Sequence, residues 1–214
     1  MDSLGRKIQL GIIAVLLAFV LISAIRAGLS DLLEMNASRS MNAWQSARRM
    51  PSSDQLEAVA KQLDIALFLT RSDPKSHENM ARLRLVRAKL SGENPAEREI
   101  LLRAGLSEIR TAISLRPISP YSWVILLVIK RDLNEYDGEF RLALNRAVEL
   151  GPWEPLLLPV LIDVGSSAWS LMPAREQGLI QQLFIRGLEK QQVIIRDDLR
   201  EQSDRSAIEH GLWK

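Results

Sequence analysis

The first pattern along the chain is an uncharged run of 18 residues, Ile8 to Ile25, reading IQLGIIAVLLAFVLISAI, with Gln9 its only strongly polar side chain. As a helix rising about 1.5 Å per residue it reaches roughly 27 Å, close to the thickness of a hydrocarbon core. Lipid offers the backbone no hydrogen bonds, and a helix supplies them internally. The pattern therefore predicts a membrane-spanning helix from Ile8 to Ile25. Two other readings compete. A cleaved signal peptide has an apolar core of about 7–15 residues and then a small-residue cleavage site. Here the core is longer, and Ile22-Ser23-Ala24 falls inside it. A buried globular helix would gain little from being apolar all round. An uncleaved anchor is expected.

Beyond it the spacing is helical to the end. Residues 28–53 are expected as a connector that can continue the helix out of the membrane until Pro51-Ser52-Ser53 breaks it. Asp54 and Glu57 suggest a capping box for the next helix. Leu56, Val59, Ala60, Leu63, Ala66 and Leu67 share one face at 3.6 spacing. Asp73-Pro74 marks a turn. Met80, Leu83, Val86 and Leu90 form the next face, with Arg82, Arg84, Arg87 and Lys89 mostly outside it. Asn94-Pro95 with Glu97 starts a helix to about Leu115, where Pro117 stops it. Ser119-Pro120 opens a helix containing VILLVI (124–129). A buried strand fits that run by length, but no neighbouring run could pair with it. Asn134 to Gly138 is a turn, and Glu139–Leu150 places Phe140, Leu144, Ala147 and Val148 inward. Pro159 predicts a kinked or late-starting helix within Pro155–Trp169. Met172-Pro173 precedes a helix carrying Leu179, Ile180, Leu183, Phe184 and Leu188. The expected organisation is an anchor over 1–27, a connector over 28–53, a helical-repeat domain over 54–190, and a charged helix or tail over 191–214.

Composition narrows the function classes. The chain is 47% hydrophobic and 25% charged, as globular proteins are. With no cysteine there is no disulfide scaffold, thiolate metal site or cysteine nucleophile. Residues 1–28 hold Arg6, Lys7 and Arg26 against Asp2, which accounts for the whole net charge of +2. The neutral remainder argues against nucleic acid as a partner. Arg6 and Lys7 before the span, and Arg26, Asp31 and Glu34 after it, give a slight bias toward a cytoplasmic N-terminus. The rest is then expected outside the cytoplasm, in a periplasm if the cell has one.

A recurrence carries more information. Ala112-Ile-Ser-Leu115-Arg-Pro117 is matched 35 residues later by Ala147-Val-Glu-Leu150-Gly-Pro152, with a weaker echo at Gly187-Leu-Glu-Lys-Gln. A period near 34 is the signature of helix pairs stacked into a solenoid. Trp123, Leu126, Ala143, Ala147 and Pro152 follow the order of the tetratricopeptide repeat, which this segment resembles, although Leu127 stands where that repeat usually has a small residue. The fold class expected is all-α: a transmembrane helix followed by a tetratricopeptide-like, right-handed α-solenoid of antiparallel helix pairs.

Further strings point to a narrower family. SLRPISPYSW (114–123), EF-x-x-AL-x-RAVELGPWEP (139–155) and the later Ala168-Trp169, together with the N-terminal anchor, resemble the VpsP-type proteins. These are membrane-anchored accessory proteins of bacterial exopolysaccharide biosynthesis. The resemblance implies a scaffold or adaptor in the bacterial inner membrane. It implies protein partners from a polysaccharide synthesis or export complex, and it carries no catalytic residue over to this chain; no cofactor or metal is expected. An assembly factor for a pilus or secretion machine, or a glycan-active enzyme, would be the alternatives.

Helix-pair repeats commonly bind extended partners along an inner groove. Tyr121 and Trp123 begin one helix, Trp153 lies in the following turn, and Arg116, Arg141 and Arg146 flank them. Aromatic faces stack on peptides and sugar rings, and arginine pairs with carboxylates or anionic sugars. These six are the candidate partner-binding residues. The plainer readings are a core role for Trp123, a turn-locking role for Trp153 and solvated helix faces for the arginines. The acidic turn of Asp132, Glu135, Asp137 and Glu139 lacks the calcium-loop pattern and reads as an ordinary polar turn, though paired carboxylates can serve a glycosidase. His77 beside Glu78 reads as solvent-facing.

Overall fold

The computed structural model describes residues 2–47, 50–92, 94–152 and 154–187, with side chains from Leu10 onward. It is all-helical over these residues, with no strand. VILLVI lies within a helix. The helices gather into two compact units, Met1–Ile125 and Leu126–Lys214. Each is described by itself.

In the first unit, α1 (Asp2–Ser46) is one unbroken helix of 45 residues, about 68 Å long at 1.5 Å per residue. Its lower part, Leu10 through Leu29, is exposed throughout. Its upper part is not a free connector, because Ser30, Ala37 and Met41 are buried. Ala37 and Met41 join Leu56, Val59, Leu63, Met80 and Leu83 in one core, with Trp44 packed against it. Within the polar run Asn36–Asn42 the Ser40 hydroxyl donates to Asn36 O, and beyond it the Ser46 hydroxyl donates to Asn42 O, so both side chains are satisfied inside the helix.

Helix α2 (Ser53–Leu69) buries the expected Leu56, Val59, Leu63 and Ala66. Its capping box is Ser52 with Gln55, two residues earlier than Asp54 and Glu57 suggest. Helix α3 (Pro74–Leu90) begins on an Asp73 cap, the carboxylate accepting from Lys75 N and Ser76 N. It packs on α1, α2 and α4 (Pro95–Leu115), which begins on the Asn94 cap expected for it. With neighbours on several sides, α3 holds Arg82, Arg84 and Arg87 half-buried, and of the four basic residues from Arg82 to Lys89 only Lys89 is exposed. Two of the heads reach polar partners on other helices, Arg82 at Asn42 Oδ1 and Arg87 at Leu56 O.

Helix α5 (Pro120–Asp132) starts at the expected proline, and the boundary between the units falls within it, after Ile125. In the second unit, Asn134 turns the chain at φ 57°, a left-handed conformation that asparagine tolerates. Asp137 then caps α6 (Gly138–Leu150), which buries Phe140, Ala143, Leu144 and Ala147. Helix α7 (Leu158–Ser167) begins late, with Pro159 in its first turn where no N–H is needed. A short 3₁₀ turn, Trp169–Leu171, leads to α8 over residues 174–187. Gly165 lets α7 approach α8 closely: a Cβ there would overlap the Ile180 side chain, with Cγ1 only 2.7 Å away.

The repeat echo has a local structural counterpart. Ala112 and Ala147 are both fully buried. Each carbonyl, four residues before the helix cap, accepts the closing N–H, from Arg116 and Gly151 respectively. Of the third echo, only Gly187 lies within the described residues, and the expected segment 191–214 lies outside them.

Candidate functional site

Two of the six candidate residues, Arg116 and Tyr121, meet at one concavity in the first unit. A cavity of about 410 Å³ is lined by Glu34, Ser38 and Arg39 of α1, Glu78, Asn79 and Arg82 of α3, and Arg116 and Tyr121 around the α4–α5 turn, among others. The architecture brings them together because α1 continues past the apolar run and lies against α3. Trp123 is turned inward. It is 9% exposed, and its indole N–H donates to Pro117 O at 2.8 Å, tying the first turn of α5 to the preceding loop.

Glu78 is the polar node of this concavity. Its Oε2 accepts from the Ser122 hydroxyl at 2.6 Å, from Arg116 Nη2 at 3.2 Å and from the Ser119 hydroxyl at 3.4 Å. Ser119 and Ser122 are buried, so the carboxylate satisfies hydroxyls that would otherwise be stranded. Ser119 also accepts from Ser122 N at the start of α5. Arg82 donates to the amide oxygens of Asn79 and Asn42, at 3.2 and 2.9 Å, spanning α3 and α1. Burial lowers its pKa from the ordinary guanidinium value, against the attraction of Glu78 and Glu34. Burial likewise pushes the Glu34 carboxyl above the usual carboxylate range, although Lys75 and the Asn79 amide, 2.7 Å away, pull it back. The lining therefore holds two carboxylates among Arg39, Lys75, Arg82 and Arg116, an excess of positive charge. Such a surface is suited to hydrogen-bonded recognition of an acidic, polar partner.

His77 is not solvent-facing. Nδ1 lies 2.7 Å from Glu108 Oε2 and Nε2 lies 3.0 Å from Arg71 O, which ties α3 to α4.

In the second unit, Arg141 and Arg146 lie on the exposed side of α6, and Arg146 pairs with Glu149 at 3.0 Å. Trp153 lies outside the described residues. The acidic turn has a specific internal role. Lys130 is 1% exposed, with its Nζ 2.6 Å from Asp137, 2.9 Å from Glu139 and 3.2 Å from Glu135. Burial opposes its charge, but the hydrogen bonds from Asp137, Glu139 and Glu135 outweigh that and raise its pKa. Asp137 resists burial in the same way: the Lys130 hydrogen bond and the Phe140 N–H hold its carboxyl below the usual range. Three of the four carboxylates of this turn thus surround an ammonium, and Asp137 also caps a helix, while Asp132 pairs with Arg131 at 2.9 Å. Among the described residues no group of three or more potential ligands could hold a metal ion.

Sequence reasoning missed Glu34, Asn79 and Arg82, and gave Glu78 no role. A signal was present on α1: Ser30, Glu34, Ala37 and Met41 recur at alternating steps of four and three, the spacing of a helix seam. No protein-family model matches the chain, and no curated protein or solved structure matches it either.

Proposed function

We propose that this chain is a membrane-anchored helical scaffold or adaptor that supports bacterial extracellular polysaccharide synthesis or export. The observation that carries the reading is α1. Its lower part is an uncovered apolar rod, long and apolar enough to cross a bilayer. Its upper part is a core element of the first helical unit. One rigid element thus ties the packed helices to the membrane. A scaffold benefits directly, because confinement to the bilayer raises effective concentration and lets weak contacts suffice.

The polysaccharide setting rests on the VpsP-type strings. The tetratricopeptide-like solenoid rests on the 35-residue recurrence and the paired closing alanines. In this reading the N-terminus is cytoplasmic, the helical units are periplasmic, and the protein sits in the bacterial inner membrane beside synthesis or export proteins. Arg116 and Tyr121 at the positively charged concavity, with Arg141 and Arg146 on α6, are the contact residues. The protein supplies binding surface and no chemistry of its own.

Affinity capture of the full chain from detergent-solubilised membranes tests this. Recovery of polysaccharide synthesis or export proteins is expected, with loss of extracellular polysaccharide in a deletion strain. Normal polysaccharide in that strain, with no such proteins recovered, contradicts it.

A further inference from the structure

The register between α1 and α2 fixes how close the first unit lies to the anchor. Arg26, the residue immediately after the uncharged span, donates from Nη2 to Leu69 O at 2.9 Å. One turn further, the buried Ser30 hydroxyl donates to Ala66 O at 3.0 Å. The C-terminal turn of α2 is therefore pinned beside residues 26–30 of α1. At 1.5 Å per residue, this puts it within about 8 Å of the level of Ile25. The hydrocarbon core is about 30 Å thick and the whole bilayer about 40–45 Å, so the headgroup layer on each side is roughly 5–8 Å deep.

What α2 presents at that level is unusual for a solvated helix end. Phe68 is 72% exposed, and Ile65, one turn earlier, is 40% exposed. On α1 beside them, Leu29 is 46% exposed. Arg71 follows in the exposed α2–α3 turn. The acid of that turn, Asp73, is engaged with the α3 N-terminus, accepting from Lys75 N, Ser76 N and the Ser76 hydroxyl. Asp31 on α1 and Asp64 on α2, the residue before Ile65, are the exposed acids at the edge of this patch. An apolar tip flanked by Arg26 and Arg71 matches a bilayer interface, where apolar side chains reach the acyl boundary and cations reach phosphates.

We propose that Phe68, with Leu29 and Ile65 beside it, seats the first helical unit on the lipid interface, so that α2 is a second membrane contact next to the spanning helix. This rests on the reading of α1 as an anchor. The seat restrains the unit at the bilayer surface, and it orients the Glu78–Arg116 concavity relative to the membrane.

The absence of native cysteine permits a direct test on the full chain in phospholipid nanodiscs. Single spin labels are placed at Val15→Cys, Leu29→Cys, Phe68→Cys and Ala43→Cys, all exposed positions. Collisions with dissolved oxygen and with a water-soluble nickel complex report depth. The expected ranking of oxygen over nickel is Val15 highest, Phe68 and Leu29 intermediate, and Ala43 lowest. A Val15 label in lipid with a Phe68 label as nickel-accessible as Ala43 overturns the seat and leaves the anchor standing. A nickel-accessible Val15 label overturns the anchor, and the seat with it.

Discussion

Replacing Lys130 with methionine isolates the charge at the centre of the second unit. Methionine keeps an unbranched apolar stem, so the packing lost is small and the ammonium is the main thing removed. Lys130 is 1% exposed, whereas the carboxylates of Glu135, Asp137 and Glu139 are 27%, 54% and 29% exposed. Removing one partner of a buried ion pair costs about 3–5 kcal/mol. The carboxylates here reach water and can rehydrate, so solvent screening discounts that figure. A cost of about 2–3 kcal/mol remains, because three like charges would be left crowded at the head of α6. Hydrogen exchange on peptides covering α6, in the full chain held in detergent, reads this locally. At 1.36 kcal/mol per decade, the amides should exchange about 30- to 160-fold faster. Asp137→Asn separates charge from capping, since asparagine still caps a helix. It should cost at most about 1 kcal/mol because the carboxylate is half-exposed. The pH dependence has a defined sign. Lys130 titrates higher in the fold than in the open chain, so its contribution is complete below about pH 10.4 and fades as pH climbs through the folded value. Asp137 titrates lower, so its contribution is complete above about pH 3.9 and fades as pH falls through the folded value. Protection should be level between these limits. Unchanged exchange in K130M, or equal damage from D137N, would refute the assignment of Lys130 as the organising charge.

Three other outcomes follow from named contacts. Gly165→Ala forces a methyl into the Ile180 side chain and should destabilise the α7–α8 pair by about 1–3 kcal/mol, with partial rescue by Ile180→Val in a thermal melt. Glu78→Ala strands the donors of Arg116, Ser119 and Ser122 and should cost about 2–3 kcal/mol in denaturant unfolding of the full chain. Glu78→Gln, which keeps an acceptor, should cost clearly less. The folded state binds the Glu34 proton more tightly than the open chain does, so ionised Glu34 is a net cost above its folded value, and stability from this group is gained as pH falls through it. Glu34→Gln, whose amide oxygen can still accept from Asn79, should therefore leave stability at neutral pH equal or higher, and loss of stability would overturn that sign.

What the sequence disclosed depended on periodicity. Faces such as Leu56–Ala66 and Phe140–Ala147 are read from one helix at a time, and prolines at 74, 95, 120 and 159 mark helix starts by what proline cannot do. Caps were less secure, because Ser52-Ser53-Asp54 offers three adjacent candidates, and the choice of Ser52 depends on Gln55 reaching back. The upper half of α1 continues the helix as expected, but its burial was hidden because Asn36–Asn42 is locally polar and its seam is narrow. Its burial comes from α2 and α3, which no local pattern contains. The candidate site was hidden for the same reason. Glu34, Glu78 and Arg116 are ordinary surface residues until three helices converge. Lys130 was legible in hindsight, as the cation that continues the apolar VILLVI run, seven residues before a capping aspartate, although Arg131 beside it carries the same charge.

The central claim is that α1 inserts in lipid and holds the helical units to it. Flotation of the full chain with phospholipid vesicles, in high salt and at alkaline pH, tests this most directly. The partner experiment is the same chain carrying Val15→Arg and Phe19→Arg, each arginine costing about 2.5–3.5 kcal/mol near the helix centre. The account predicts that the unaltered chain rises with the vesicles and that the substituted chain stays below. An unaltered chain that remains at the bottom of the gradient would contradict it.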